Sequence, residues 1–327
     1  MFENKSIIIE VSGGIAAYKT AYLVSALSKT EADVNVIMTE NACEFISPLV
    51  FETLTGNKCY VDTFDRNFKF DVEHISLAKK ADIFMIAPAT ANVIAKIANG
   101  IADDMLTTTF LASKCKKIVS PAMNTAMFEN QITQDNIAKL KKYGIGVVEP
   151  QNGLLACGDT GAGKMPEPDF LFDVIEREIA REKDMLGKKV LVTAGATMES
   201  LDPVRFLTNH SSGKMGFAIA KEAMLRGAEV TVVKANTTAE IPNFVKIVEV
   251  SSAKDMFDAV TALSDQQDII VKAAAVADYT PESYVDSKIK KKDGDLSIPL
   301  KRTMDILKYL GENKKEGQFL CGFSMET

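Results

Sequence analysis

The chain has 327 residues, enough for two domains of ordinary size. Hydrophobic residues make up 46% and charged residues 25%, which excludes disorder as the dominant state. With 38 basic against 44 acidic residues the net charge is −6, which argues against a general polyanion-binding surface and leaves room only for a local basic patch. The first predicted element is a buried strand at Ser6–Val11 (SIIIEV), ending at Ser12-Gly13-Gly14. Ile15, Tyr18, Tyr22, Leu23, Ala26 and Leu27 then recur at helical spacing, as on an amphipathic helix. Further strands are expected at 34–38, 83–87, 117–120 and 145–148, with helices such as 91–98 and 131–143 between them. Strands alternating with helices imply a parallel, doubly wound sheet.

A charged helix ending near Asp184 closes this pattern, which restarts at Gly187-Lys188. The strand Lys189–Ala194, a helix at 213–226 and strands at 229–233 and 268–273 repeat the earlier order. Two α/β domains are therefore expected, 1–186 and 187–327. No apolar run approaches the ~18–20 residues of a membrane span. Residues 1–5 lead straight into a strand and lack a signal-peptide layout, so a cytoplasmic protein is expected. Five cysteines without a C-x-x-C pair fit neither a zinc ribbon nor a disulfide framework, and two histidines exclude a His-rich metal site.

Ligands of open parallel sheets sit beyond the carboxyl ends of the strands. The polar residues of the first half collect there, at Ser12-Gly13-Gly14, Thr39-Glu40-Asn41, Pro88 to Asn92 and Pro121 to Asn124. Glycines allow close backbone approach and Ser, Thr and Asn supply uncharged donors, which suits a phosphate carrying a polar heterocycle; taken singly, the same loops read as N-caps and turns. The run Gly158 to Lys164 matches G-x-x-x-x-G-K, but Met165 stands where Mg²⁺ needs a hydroxyl, and Pro166 and Pro168 follow, so it is no P-loop. It reads instead as a glycine-rich flap with Cys157 near its start, a thiol that is either chemically active or simply buried. His74 opens a helix as a cap, a packed residue or a catalyst, and Asn124 follows a strand end, where a turn residue is also common.

In the second half, residues 205–216 bring hydroxyls, Gly213 and Lys214 to a helix start, as anion binding requires. Residues 272–279 place small side chains and Asp278 at a strand end, where a flat ring could lie on the backbone and a hydrated Mg²⁺ could be held. Lys288 begins a basic run that is either a solvated stretch or a counter-charge to a triphosphate.

These segments together resemble the bifunctional phosphopantothenoylcysteine decarboxylase/phosphopantothenate–cysteine ligase family of coenzyme A biosynthesis. The resemblance rests on GGIAAYK (13–19), VEHISLAKKAD around His74, APATANVIAKIANGIADD (87–104), PAMNTAM (121–127) and ACGDTGAGKM (156–165). It continues through TAGATMESLDPVRFLTNHSSGKMG (193–216), KAAAVADY (272–279), KIKK (288–291) and GFSMET (322–327). The resemblance implies a flavodoxin-like first domain with FMN on Gly13, Gly14, Ile15, Thr39, Thr90 and Asn92. It implies His74 as an acid/base or orienting group, Asn124 on the substrate carboxylate and Cys157 as a proton donor. For the Rossmann-like second domain it implies a CTP-dependent ligase. Lys288 would assist cytidylate formation, and Arg205 and Asn209 would act on the acyl-cytidylate. Ala273, Ala274, Asp278, Thr303, Met304, Asp305, Ile306 and Phe323 would surround CTP and Mg²⁺.

Small-molecule substrates and a homo-oligomer are implied as well: decarboxylase trimers that build shells with FMN at subunit interfaces, and ligase dimers. Lys164 and Phe128 depart from the arginine and tryptophan usual in the family. Family members also continue past GFSMET with a further strand and a basic lid. A protein ending at Thr327 is thus expected to keep the decarboxylase and to have a weak or inactive ligase, whereas if the chain is a piece of a longer protein both activities belong to the parent. Two other readings are a decarboxylase of a different cysteine substrate and a non-catalytic relative. The ligase-like half argues against the first, and His74, Asn124 and Cys157 against the second.

Overall fold

The β-branched runs that alternate with amphipathic stretches become two separate parallel sheets. The computed structural model describes residues 2–64, 73–291 and 296–324. The chain divides into compact units at Met1–Ala180 and Arg181–Thr327.

In the first unit six parallel strands lie in the order Cys59–Tyr60, Asp33–Met38, Ser6–Val11, Ile83–Ala89, Lys116–Pro121, Gly146–Val147. Ser6–Val11 is buried at every position, as a central strand covered on both faces must be. One face packs Ile8, Ile37, Phe84, Ile86 and Val119 with apolar residues of the helices Ala91–Asn99, Met105–Ala112 and Gln131–Lys142. Phe84 and Phe110 meet edge to face at 5.5 Å between ring centroids. The chain runs outward in both directions from Ser6–Val11, with Asp33–Met38 on one side and Ile83–Ala89 on the other. That reversal opens a crevice above the carboxyl ends of these strands.

The second unit carries five parallel strands in the order Lys246–Glu249, Glu229–Lys234, Lys189–Ala194, Ile269–Lys272, Phe319–Gly322. Its reversal falls between Lys189–Ala194 and Ile269–Lys272. The helix Lys214–Leu225 crosses so close to the sheet that a Cβ on Gly216 would lie 2.7 Å from the Ala194 Cβ. The expected pair of doubly wound α/β sheets is what forms. Among the described residues no helix is long and apolar enough to cross a membrane.

As expected of a run that is no P-loop, Gly158 to Lys164 starts no helix: its second part is the strand Thr160–Lys164, paired antiparallel with Gln151–Leu154, so the glycine-rich flap is a β-hairpin. One local expectation is revised. The charged helix before the junction is Pro168–Ile179 and ends ahead of Asp184. The charges beyond it are used otherwise, Arg181 bonding Glu222 at 2.8 Å and Asp184 accepting from Arg226 at 2.8 Å.

Candidate functional site

The loops at the carboxyl ends of the first sheet are tied to one another before any ligand is considered. Ser12 Oγ donates to the Pro88 carbonyl at 2.7 Å and accepts from the Thr90 amide at 3.0 Å, locking the loop after Ser6–Val11 to the loop after Ile83–Ala89. Thr39 and Thr90 cap the helices Glu40–Cys43 and Ala91–Asn99 with their hydroxyls. Gly13 passes so near the next loop that a Cβ there would fall 2.6 Å from Asn41 Cβ. The helix Ala17–Leu27 has no side-chain cap; its first amides, of Ala17, Tyr18 and Lys19, bond the carbonyls of Gly14, Ile15 and Ala16, so an anion would be met by the amides just before them.

Two cavities meet over these loops. One, of about 430 Å³, is lined by Gly13, Gly14, Ile15, Thr90, Asn124 and Cys157 among others. The other, of about 510 Å³, shares Gly13 and Thr90 and adds Thr39 and Asn92. All six residues expected to hold a flavin therefore border this crevice. The cations on its walls are matched: Lys96 by Asp103 at 2.7 Å and Asp104 at 3.1 Å, and Lys19 and Lys164 by Glu167 at 2.8 and 3.6 Å. The groove thus offers uncharged donors and uncapped amides, a donor set that fits a flavin with its phosphate at the helix start.

The hairpin closes over one end of the crevice. A Cβ on Gly163, whose φ is +122°, would lie 2.2 Å from the Met123 carbonyl oxygen, and the Met123 amide donates to the Gly163 carbonyl at 3.1 Å. Glycine is thus what lets the hairpin lie directly on the Asn124 loop. The contact brings Asn124 Nδ2 to 3.5 Å from Cys157 Sγ and to 3.1 Å from Asp159 Oδ2, while the Cys157 thiol donates to the same carboxylate at 3.4 Å. Asn124 Oδ1 is occupied by the Ala126 amide at 2.8 Å, so its NH₂ is fixed toward the thiol. Cys157 is exposed, and the alternative of a simple buried thiol falls away.

Asp159, which bridges amide and thiol, escaped the sequence reading. So did Lys19, whose buried ammonium donates to the Met165 carbonyl at 3.1 Å and to Glu167 at 2.8 Å, anchoring the base of the hairpin to the first helix. The Lys19 hydrogen bond holds the Glu167 carboxyl below its usual pKa, against the opposing effect of burial. His74 lies in the first turn of the helix Glu73–Lys80, half-buried, and lines neither cavity of its own chain.

In the second unit a cavity of about 570 Å³ opens at the carboxyl ends of Ile269–Lys272 and Phe319–Gly322. Ala274, Asp278, Thr303, Met304, Asp305, Ile306 and Phe323 line it, seven of the positions expected around a nucleotide. Ala273 does not; its amide, like that of Ala274, donates to Thr193 Oγ1 at 3.1 Å. Asn209 Nδ2 reaches the carbonyl of Val276, a lining residue, at 3.5 Å. Lys288 is exposed and outside the lining.

A residue not singled out from sequence, Asp202, joins the remaining pieces. Only 2% exposed, it accepts from the amides of Val204 and Arg205 at 2.8 Å and of Ile289 at 3.0 Å. Burial alone would push its carboxyl up, but these amides and Arg205 hold it below its usual pKa. Arg205 Nη2 in turn donates to the Ile289 carbonyl at 3.0 Å, so the Arg205 loop and the basic run beginning at Lys288 are fastened together. Among the described residues no group of three or more His, Cys, Asp or Glu could hold a metal by itself. Asp278 would share a cation with a ligand's own oxygens.

Comparison with known proteins agrees with this division. The family described as Flavoprotein matches residues 1–180, and the DNA/pantothenate metabolism flavoprotein C-terminal domain matches residues 185–327. The coenzyme A biosynthesis bifunctional protein CoaBC of Bacillus subtilis is 47% identical over all of this chain and 81% of its own length. Its namesake in Borreliella burgdorferi is 42% identical, over all of this chain and 84% of its own. Among solved structures, a PPC decarboxylase mutant complexed with pantothenoylaminoethenethiol is 30% identical, with a TM-score of 0.48 over 52% of this chain and 96% of that one. Full-length identity at this level, with both halves matched in order, makes the chain a member of the bifunctional coenzyme A biosynthesis protein family, CoaBC.

Proposed function

We propose that the chain condenses 4′-phosphopantothenate with cysteine in its second unit and decarboxylates the resulting phosphopantothenoylcysteine in its first. The observation that carries the decarboxylase reading is the Asn124–Cys157–Asp159 cluster beside a flavin-sized crevice. FMN, bound on Gly13, Gly14, Ile15, Thr39, Thr90 and Asn92, would take up and return the two electrons that make loss of CO₂ easy. The chain's own residues do the rest. Asn124 binds the substrate carboxylate through its fixed NH₂. After CO₂ leaves, Cys157 supplies the proton that completes reduction of the enethiol to the thiol, and Asp159 aims the S–H.

In the second unit the carboxylate of 4′-phosphopantothenate attacks the α-phosphate of CTP, pyrophosphate leaves, and the cysteine amine displaces CMP to form the amide. Lys288 offsets charge on the phosphates during the first step, and Asp278 would help hold a Mg²⁺ that supplies further counter-charge. Arg205 and Asn209 hold the acyl-cytidylate, Asn209 from its position beside Val276. A second copy of the chain, brought by oligomerisation, completes the decarboxylase site with His74. The exposed Ile15 and Tyr18 at the crevice, and Tyr22 one turn further along the same helix, would be covered by such a partner.

The experiment is mass spectrometry of products from phosphopantothenoylcysteine. Wild type should yield 4′-phosphopantetheine. Cys157→Ser should still release CO₂ but stall at the enethiol, with overall turnover lower by roughly 10²–10⁴. Full product from Cys157→Ser would refute the assigned proton donor, and no CO₂ from the folded, yellow wild type would refute the decarboxylase itself.

A further inference from the structure

The nucleotide cavity contains a lysine that none of the steps above employs. Lys272 ends the strand Ile269–Lys272, forms part of the cavity wall and is only 8% exposed. Its backbone is committed, paired with Gly322 and Thr193 in register and accepting from the Phe323 amide at 3.1 Å. Its side chain shares a sheet face with Ile270 and Ala274, under the helix Ala253–Ser264.

There the ammonium finds little. Among the described residues its only hydrogen-bond contact is the Met256 thioether sulfur at 3.9 Å, a weak acceptor for a group with three donors. Thr193 Oγ1, on the adjacent strand, already accepts from two amides. The charged groups nearby are accounted for. Asp305, the exposed cap of the helix Ile306–Glu312, exerts a field on the ammonium but spends a carboxylate oxygen on the Lys308 amide at 2.9 Å. On the helix Ala253–Ser264, Asp255 bonds Ser252, and Lys254 pairs with Asp258. Asp278 and Arg302 line the same cavity from exposed positions, and Cys321 is half-buried on the neighbouring strand. Burial lowers the Lys272 pKa to about 8, with Asp305 opposing. A buried ammonium that faces a thioether is costly unless an acceptor arrives from outside the chain.

We propose that Lys272 is a specificity-determining residue of the nucleotide site, donating to an oxo or ring-nitrogen acceptor on the edge of the pyrimidine base. The proposal rests on the ligase reading above. The apolar part of the cavity wall is formed by Ala274, Val276, Ile306 and Leu307, with Ala274 two residues beyond Lys272 on the same face. A neutral ring with one acceptor edge enters such a place at small cost, whereas a triphosphate would lose its hydration against a single cation. Arg302, exposed at the same cavity, is the better phosphate partner.

An acceptor on the ammonium favours its charged form and so raises its pKa on binding. Affinity is therefore full below about pH 8 and falls as pH rises past it, where binding must take up a proton. The test is calorimetric titration of the full chain with CTP and Mg²⁺, in two buffers of different ionisation enthalpy, from about pH 7 to about pH 9. Wild type should take up a fraction of a proton per CTP near pH 8. Lys272→Met should bind CTP roughly tenfold to a hundredfold more weakly, and its proton uptake should vanish. Wild-type binding without proton uptake would overturn the proposal and leave the ligase reading standing, a result that needs no variant to fold. Equal affinity in a Lys272→Met chain with a wild-type melting profile would do the same. A wild-type chain that binds no CTP would overturn both.

Discussion

At the scale of single residues, one costly group in the first unit is left idle by the proposed chemistry. Glu10 lies in the fully buried strand Ser6–Val11, and among the described residues neither carboxylate oxygen has a hydrogen-bond partner. Burial pushes its pKa well above the ordinary carboxylate value; the field of Asp104 adds to this, and Lys117 opposes it. The folded chain therefore holds a proton that the unfolded chain releases above about pH 4.3. Folding is disfavoured increasingly as pH rises from that value toward the folded-state pKa, while below it the penalty disappears. Glu10→Gln, which is neutral at every pH, should raise the melting temperature of the first unit by on the order of a few degrees at pH 8, and by little at pH 4. Thermal melts at the two pH values check this, and an equal shift at both would mean that ionisation is not the source of the cost. Lys117, half-buried and 4.9 Å from the Phe110 ring centroid, has its own pKa lowered by burial, with Cys115 and Glu10 opposing.

Among elements, the hairpin Gln151–Leu154 with Thr160–Lys164 connects packing to chemistry most directly. It holds Cys157 against Asn124 only because Gly163 can touch the Met123 carbonyl. Gly163→Ala must move that strand, since the new Cβ would meet backbone rather than a yielding side chain. Decarboxylase kcat should fall by on the order of tenfold or more, with ligase activity unchanged. Parallel assays of the two half-reactions decide it, and an equal loss in both would point to general misfolding. The same element shows how far the sequence could be read. The central strands were legible because burial on both faces writes an unbroken β-branched run. The site loops were legible because Gly13, Thr39, Thr90 and Asn124 follow those runs. The short helices Pro48–Thr55 and Met105–Ala112 span too few turns to establish a period, although Ser47-Pro48 before one and the Asp104 capping box of the other were signals that could have found them. Asp159, Lys19 and Asp202 were not legible as site residues. Their roles depend on partners such as Asn124, Glu167 and Ile289, distant in sequence and joined only by the fold.

At the scale of the whole molecule, His74 sets a geometrical problem that a single chain does not solve. Cys157 and Asn124 stand together at the crevice, but His74 sits on Glu73–Lys80 and lines neither cavity of its own chain. The crevice meanwhile exposes Ile15 and Tyr18, with Tyr22 one turn further along the same helix, a face suited to a neighbouring copy. If each decarboxylase site takes its thiol from one chain and its imidazole from the next, the two defects are separable. His74→Asn and Cys157→Ser chains, each inactive alone in full turnover, should regain activity when unfolded and refolded together. Random mixing in equal amounts gives both intact residues to about a quarter of the sites, since each is drawn independently with a probability of about one half. Recovery near that fraction of wild-type turnover, absent when the two proteins are refolded apart and then combined, establishes a shared site. If His74 served its own chain, every site would lack one residue or the other, and no mixture would recover. A His74→Asn chain that is fully active by itself would instead remove the histidine from the chemistry altogether.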